Sequence, residues 1–90
     1  MFILYTKNGC PFCEKVKEFM GNNDLAFEER EISDDDNRSM LLEKGGKQQV
    51  PFLIDDELGK SMYESMDIIT YLTENYVSIN NGSGDSLEEE

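Results

Sequence analysis

Both cysteines of this chain sit in one step, Cys10-Pro11-Phe12-Cys13, between a short apolar run and a stretch with helical periodicity. The run, Phe2-Ile3-Leu4-Tyr5, reads as a strand, and Val16, Phe19 and Met20 follow the i, i+3, i+4 spacing of a helix face. Cys10 therefore falls where a strand hands over to a helix. Backbone N–H groups in the first turn of a helix lack intrahelical partners, and the macrodipole ends positive there, so a thiolate is favoured. A sulfur nucleophile is then available at neutral pH without a histidine to make it, and the chain has no histidine.

Other uses of two close cysteines fit less well. A structural zinc site takes four ligands, and one copy of this chain cannot supply them from cysteine and histidine. A structural disulfide would close only a tiny loop. Met1 leads directly into the strand with no charged n-region, apolar h-region or cleavage site, which points to the reducing cytoplasm. In that compartment a Cys-x-x-Cys beside a βαβ pattern is more often catalytic than structural.

Ninety residues make one domain around one modest core. A net charge of −12 leaves no basic stripe able to displace counterions from phosphate, which argues against a nucleic-acid partner. Apolar runs are a few residues long and no polybasic segment is present, so a membrane partner is disfavoured too. Asn37-Arg38-Ser39 and Asn81-Gly82-Ser83 are read as chance matches to the glycosylation triplet.

The elements alternate along the chain. Residues 1–6 form the first strand, and a helix runs from Pro11, suited to the first turn, to about Asn22, where Gly21-Asn22-Asn23 accept positive φ. Leu25 to Ile32 reads as a strand, and its charges place it at a sheet edge. Ser33 to Asp36 cap a helix running to about Lys44, with Met40, Leu41 and Leu42 as its buried side and Gly45-Gly46 as its stop. Phe52-Leu53-Ile54, an acidic turn at Asp55-Asp56-Glu57, and Leu58 to Tyr63 read as a hairpin. A last helix covers about Ser65 to Tyr76, with Ile68, Ile69, Leu72 and Tyr76 toward the core. Residues 78–90 are Ser, Asn, Gly and acid, and are expected to form a disordered acidic tail beyond a domain of residues 1–77.

The order β-α-β-α-β-β-α with a Cys-x-x-Cys after the first strand resembles the glutaredoxin branch of the thioredoxin fold, over about residues 1–77. Tyr5-Thr6-Lys7 followed by Cys10-Pro11-Phe12-Cys13 is similar to the glutaredoxin active-site segment, with Phe12 where that family most often has Tyr. Val50-Pro51 resembles the family's Thr-Val-Pro, with Gln49 in the threonine place. The chain departs from the family after the hairpin, where Glu64-Ser65 looks like the Glu/Gln-Ser segment of glutathione transferase N-terminal domains.

The resemblance implies an α/β, thioredoxin-like fold with a four-stranded mixed sheet flanked by helices. It implies a cis bond before Pro51, with Val50 presenting its backbone to the cysteinyl part of glutathione, although a proline taken alone more often just begins a strand. Ser65 would meet the γ-glutamyl carboxylate at a helix N-terminus, and Glu64 or Asp67 the ammonium group. An ordinary serine cap with acidic first-turn neighbours explains the same residues. For the glycyl carboxylate the candidates are Lys7 and the segment Lys47, Gln48, Gln49. Phe12 completes the implied glutathione-binding set of Lys7, Phe12, Gln49, Val50, Pro51, Glu64, Ser65 and Asp67.

These residues give the reading of a glutathione-dependent thiol–disulfide oxidoreductase, with Cys10 as nucleophile and Cys13 as resolving thiol. Glutathione enters as co-substrate, no cofactor is permanently bound, no metal is required, and the protein partners carry disulfides or glutathionylated cysteines. A monomer is expected. Alternatives are a redoxin reduced by thioredoxin reductase, a glutathione-binding iron–sulfur carrier and a non-catalytic redox adaptor. A glutathione transferase fragment is a further alternative, but the sequence has no second helical domain.

Overall fold

The apolar run at the start of the chain forms strand β1, Phe2–Thr6, at the middle of the fold. Its side chains alternate between two faces. Phe2 and Leu4 pack with Val16, Met20, Leu53, Ile68 and Leu72 on one side. Tyr5 packs with Ile32, Leu41 and Phe52 on the other. The computed structural model describes residues 1–77; the acidic tail expected over 78–90 lies outside the described residues.

Helix α1, Pro11–Asn22, buries Cys13, Val16 and Met20, one side of three turns. It ends differently from the expectation: Asn23 has φ −110, and the left-handed residue is Asp24, at φ 57. Strand β2, Phe27–Glu31, pairs parallel with β1, so that Phe2 faces Phe27 and Thr6 faces Glu31. Helix α2, Asp35–Gly45, starts on Asp34, whose Oδ1 accepts the N–H groups of Asp36 and Asn37 at 2.9 and 3.2 Å. Only Leu41 of its apolar residues is fully buried, and Leu42, expected in the core, is 43% exposed.

Strands β3, Phe52–Asp55, and β4, Lys60–Tyr63, form the hairpin. β3 runs antiparallel to β1, giving a mixed sheet in the order β2-β1-β3-β4. β2 is an edge strand, as its charges require. Helix α3, Ser65–Leu72, continues into a π-helical turn, Thr73–Val77, where a single helix was expected. α1 and α3 thus cover one face of the sheet and α2 the other, the α/β thioredoxin-like architecture read from the sequence.

Asp55 corrects the expected acidic turn. It is the last residue of β3 and fully buried. Tyr71 donates its hydroxyl to Asp55 Oδ2 at 2.6 Å, Tyr76 donates to the same oxygen, and the N–H groups of Glu57 and Leu58 reach Oδ1. A buried carboxylate survives only with such a full set of donors. Burial alone would raise its pKa, but these hydrogen bonds outweigh burial and hold it below the usual carboxylate range. No helix among the described residues is long and apolar enough to cross a membrane.

Candidate active site

Cys10 caps α1. Its backbone is extended, with φ −94 and ψ 109, and its Sγ accepts the N–H of Cys13 at 3.2 Å. The turn before it is closed by the Cys10 N–H donating to the Lys7 carbonyl at 3.1 Å, with Gly9 at φ 79, a backbone that favours glycine. Cys10 is half-buried, whereas Cys13, one turn on, is 0% exposed, and both are free thiols. Burial, with a hydrogen bond to Cys10, pushes the Cys13 thiol up to about 12, against the pull of the Lys7 N–H and the Lys17 charge. Cys13 therefore holds its proton at neutral pH, and the accessible sulfur is that of Cys10.

Two grooves lie beside this pair. The first, of 300 Å³, is lined by Phe12, Gln49, Val50, Pro51, Glu64, Ser65 and Met66. It brings together six of the residues singled out in the sequence, drawn from the start of α1, the segment before β3 and the start of α3. The Val50–Pro51 bond is cis, and Pro51 is buried. Glu64 occupies the cap position of α3 with φ 70 and makes no side-chain cap, so a non-glycine residue is held in a left-handed backbone at the groove wall. Gln49 Nε2 donates to Glu64 Oε2 at 3.2 Å, joining the two walls. Ser65 is thus the first helical residue and not the cap, and its N–H is among those without an intrahelical partner.

The second groove, of 410 Å³, is lined by Lys7, Ile32, Ser33, Arg38, Gln48 and Val50. Val50 belongs to both grooves. Lys7 and Gln48 meet here. Lys47 does not; its ammonium lies over the Tyr63 ring, 4.8 Å from the centroid. Asp67 is exposed on the first turn of α3 and lines neither groove.

Three contributors escaped the sequence reading. Met66, 59% exposed beside the 61% exposed Phe12, forms the apolar lip of the first groove. Arg38 adds a second cation to the groove of Lys7 and pairs with Asp35 at 2.7 Å. One local signal was present: Arg38 stands in the opening turns of α2, where the macrodipole disfavours a cation. Tyr63 hydrogen-bonds the backbone of Lys47, two residues before Gln49, and so ties the groove segment to β4.

A mixed four-stranded sheet with a Cys-x-x-Cys at the head of α1 and a cis proline leading into β3 defines a thioredoxin-like protein. Residues 4–81 match the family model of the glutathione S-transferase N-terminal domain, and the chain belongs to that family. Glutaredoxin 1 of Rickettsia conorii is 32% identical over 59 residues, which are 62% of this chain and 58% of that protein. Glutaredoxin 1 of Rickettsia bellii is 41% identical over 44 residues, 47% of this chain and 45% of that one. The chain thus spans about half the length of the curated relatives it matches. Among solved structures, the thioredoxin-like protein BC3987 superposes with a TM-score of 0.69 at 28% identity, over 80% of this chain and 99% of that one. A glutathione S-transferase from the Antarctic clam Laternula elliptica gives 0.70 at 27% identity, over 83% of this chain and 35% of that one. Both resemblances read from the sequence, to glutaredoxins and to the transferase N-terminal domain, are found among these relatives.

Proposed function

We propose that the chain is a glutathione-dependent thiol–disulfide oxidoreductase acting in a reducing compartment, the cytoplasm, as a monomer. The observation that carries this reading is the Cys10 Sγ at the head of α1, accessible and accepting an N–H, beside two grooves that meet at Val50. With a glutathione mixed disulfide, the Cys10 thiolate attacks the glutathionyl sulfur, the disulfide breaks, and the partner thiolate leaves. A second glutathione thiolate then attacks that sulfur and releases Cys10 with oxidised glutathione. With a protein disulfide, Cys10 attacks one sulfur, Cys13 attacks the resulting Cys10 mixed disulfide, and two glutathiones reduce the Cys10–Cys13 bond.

In this reading the cysteinyl backbone of glutathione lies along Val50. Lys7, Arg38 and Gln48 face the glycyl carboxylate, while Ser65 and Glu64 face the γ-glutamyl end; Phe12 and Met66 flank the sulfur. The shared position of Val50 between a cationic groove and a helix N-terminus supports this orientation.

The test is reduction of a glutathionylated peptide with glutathione and glutathione reductase as electron source, run beside thioredoxin reductase. Turnover with the first and not the second is expected. Turnover with thioredoxin reductase alone would replace glutathione by another donor, and none with either would leave a non-catalytic role.

A further inference from the structure

Beside Cys13 runs a polar chain that the reaction above leaves unused. Thr6, at the end of β1 and buried, donates Oγ1–H to Glu29 Oε2 of β2 at 2.7 Å. The same oxygen is 3.0 Å from Lys17 Nζ, and Lys17 is also 3.0 Å from Glu14. Lys17 stands four residues after Cys13 on α1, a spacing that puts both side chains on one helix face with Cβ atoms about 5–6 Å apart. Its side chain is only 26% exposed. Ion pairs at such a surface add little stability, so clamping a lysine between carboxylates of two elements serves its position more than the fold.

We infer that Lys17 is a positioning residue for the resolving step: its ammonium, fixed by Glu14 and Glu29 one helical turn from Cys13, favours the Cys13 thiolate that attacks Cys10. This rests on the two-cysteine reading proposed above. In the step, Cys13 gives its proton to solvent and its sulfur electron pair forms the bond to Cys10 Sγ. The bond from Cys10 to the substrate sulfur breaks, and that pair leaves with the substrate thiolate. The mixed disulfide is itself the oxidant, so no further reagent is required.

Cys13 needs such help, because its burial favours the protonated thiol, and Lys17 acts against that effect. The other groups that act on it are Cys10 at the helix cap and the backbone N–H of Lys7, while Glu14 on α1 and Glu29 on β2 pair with Lys17. Glu64 and Asp67 stand at the N-terminal end of α3, the helix packed against α1. Lys17 is the cation that the clamp holds on the Cys13 side of the helix, while Lys15 is exposed.

The step can be followed without glutathione. An aromatic disulfide with a coloured thiol reacts first at Cys10, releasing one thiol, and Cys13 then displaces the second from the Cys10 mixed disulfide. Stopped-flow absorbance against pH reads both releases. In Lys17→Met the pH midpoint of the second release should move up. A midpoint higher by about one pH unit leaves roughly a tenth of the thiolate, and higher nucleophilicity returns about half of that logarithm, so the second release slows about threefold at fixed pH relative to the first. Lys17→Arg should restore the profile. Lys17→Gln, which removes the charge but keeps a neutral donor within reach of Glu14 and Glu29, should move the midpoint up as Lys17→Met does. An unmoved midpoint in folded Lys17→Met, or a change that arginine does not reverse, overturns the inference; should Lys17→Met not fold, an unmoved midpoint in Lys17→Gln does so. A chain that behaves as expected here but reduces no glutathione mixed disulfide overturns the proposed function alone.

Discussion

The hydroxyl of Tyr63 donates to the Lys47 carbonyl at 2.9 Å and accepts the Lys47 N–H at 3.1 Å, so one side chain of β4 holds both backbone groups of a single loop residue. The ring is itself fixed, 4.5 Å from Phe52 and against the bare Cα of Gly45 at the end of α2. A Cβ on Gly45 would come within 2.9 Å of Tyr63 Cζ and 3.1 Å of Phe52 Cζ. The segment leading to Val50 therefore hangs from the sheet through Tyr63, and its register depends on the missing side chain of Gly45.

From this relationship, Tyr63→Phe should loosen the Val50 segment without touching the cysteines. Losing about 1 kcal/mol of hydrogen bonding at the groove corresponds to roughly a fivefold rise in KM for a glutathionylated substrate. The rate of Cys10 alkylation should stay at the wild-type value. Gly45→Ala should raise KM further by displacing the ring. A rise in KM accompanied by an equal change in alkylation rate in Tyr63→Phe would mean general unfolding and not a displaced groove.

Asp55 makes stability depend on pH from both sides. Its folded-state pKa is depressed, so its contribution is full above the unfolded value of about 4 and is lost as pH falls through the folded value. Tyr71 and Tyr76 are shifted the other way, first by burial and then by the hydrogen bonds to Asp55, with Tyr76 near 12. Their contribution is full below about 10 and is lost as pH rises through the folded values. Asp55→Asn should cost about 2–3 kcal/mol at neutral pH and flatten the acid limb. Urea unfolding across the pH range measures both, and an unchanged acid limb would remove Asp55 as its source.

The exposure difference within the Cys-x-x-Cys separates the two thiols. Cys10→Ser should abolish thiol transfer, whereas Cys13→Ser should keep removal of glutathione from proteins and lose reduction of protein disulfides. At pH 6, iodoacetamide followed by mass spectrometry should label Cys10 first, because Cys13 is buried and protonated. Preferential labelling of Cys13 would reverse the roles.

Elements carried by local pattern were legible in the sequence. Strand β1 and helix α1 were marked by an apolar run, a proline at the first helical position and apolar residues at helical spacing, and α1 spans Pro11–Asn22 as expected. Asp55 was not legible, since it sits in an acidic triplet that reads as a turn, while its partners Tyr71 and Tyr76 lie 16 and 21 residues away. The same holds for the groove: Val50 and Pro51 stood out through a short motif, but Arg38, Met66 and Tyr63 reach it only through tertiary packing. Lys47 and Asp67 show the converse, since proximity in sequence to Val50 and Ser65 did not bring their side chains to the grooves.

The charge of the chain gives the last prediction its sign. Glutathione is anionic at neutral pH, and a protein of net charge −12 repels it at long range. Lys7 and Arg38 in one groove and the start of α3 in the other act over short distances. Salt screens the distant charges within a Debye length of about 10 Å at 0.1 M, while desolvated contacts survive. Binding should therefore tighten at first as salt is added. Arg38 can turn from Asp35 to the ligand at little cost, because that pair is exposed. Lys7→Gln and Arg38→Gln should each weaken binding, and Ser65→Ala should cost about 1–2 kcal/mol through one charge-assisted hydrogen bond. Titration of a Cys10→Ser, Cys13→Ser protein with glutathione, followed by chemical shifts at several salt concentrations, measures all of these. Affinity that falls from the first addition of salt would mean that the local cations, and not the net charge, govern approach, and affinity unchanged in all three variants would put the tripeptide outside both grooves.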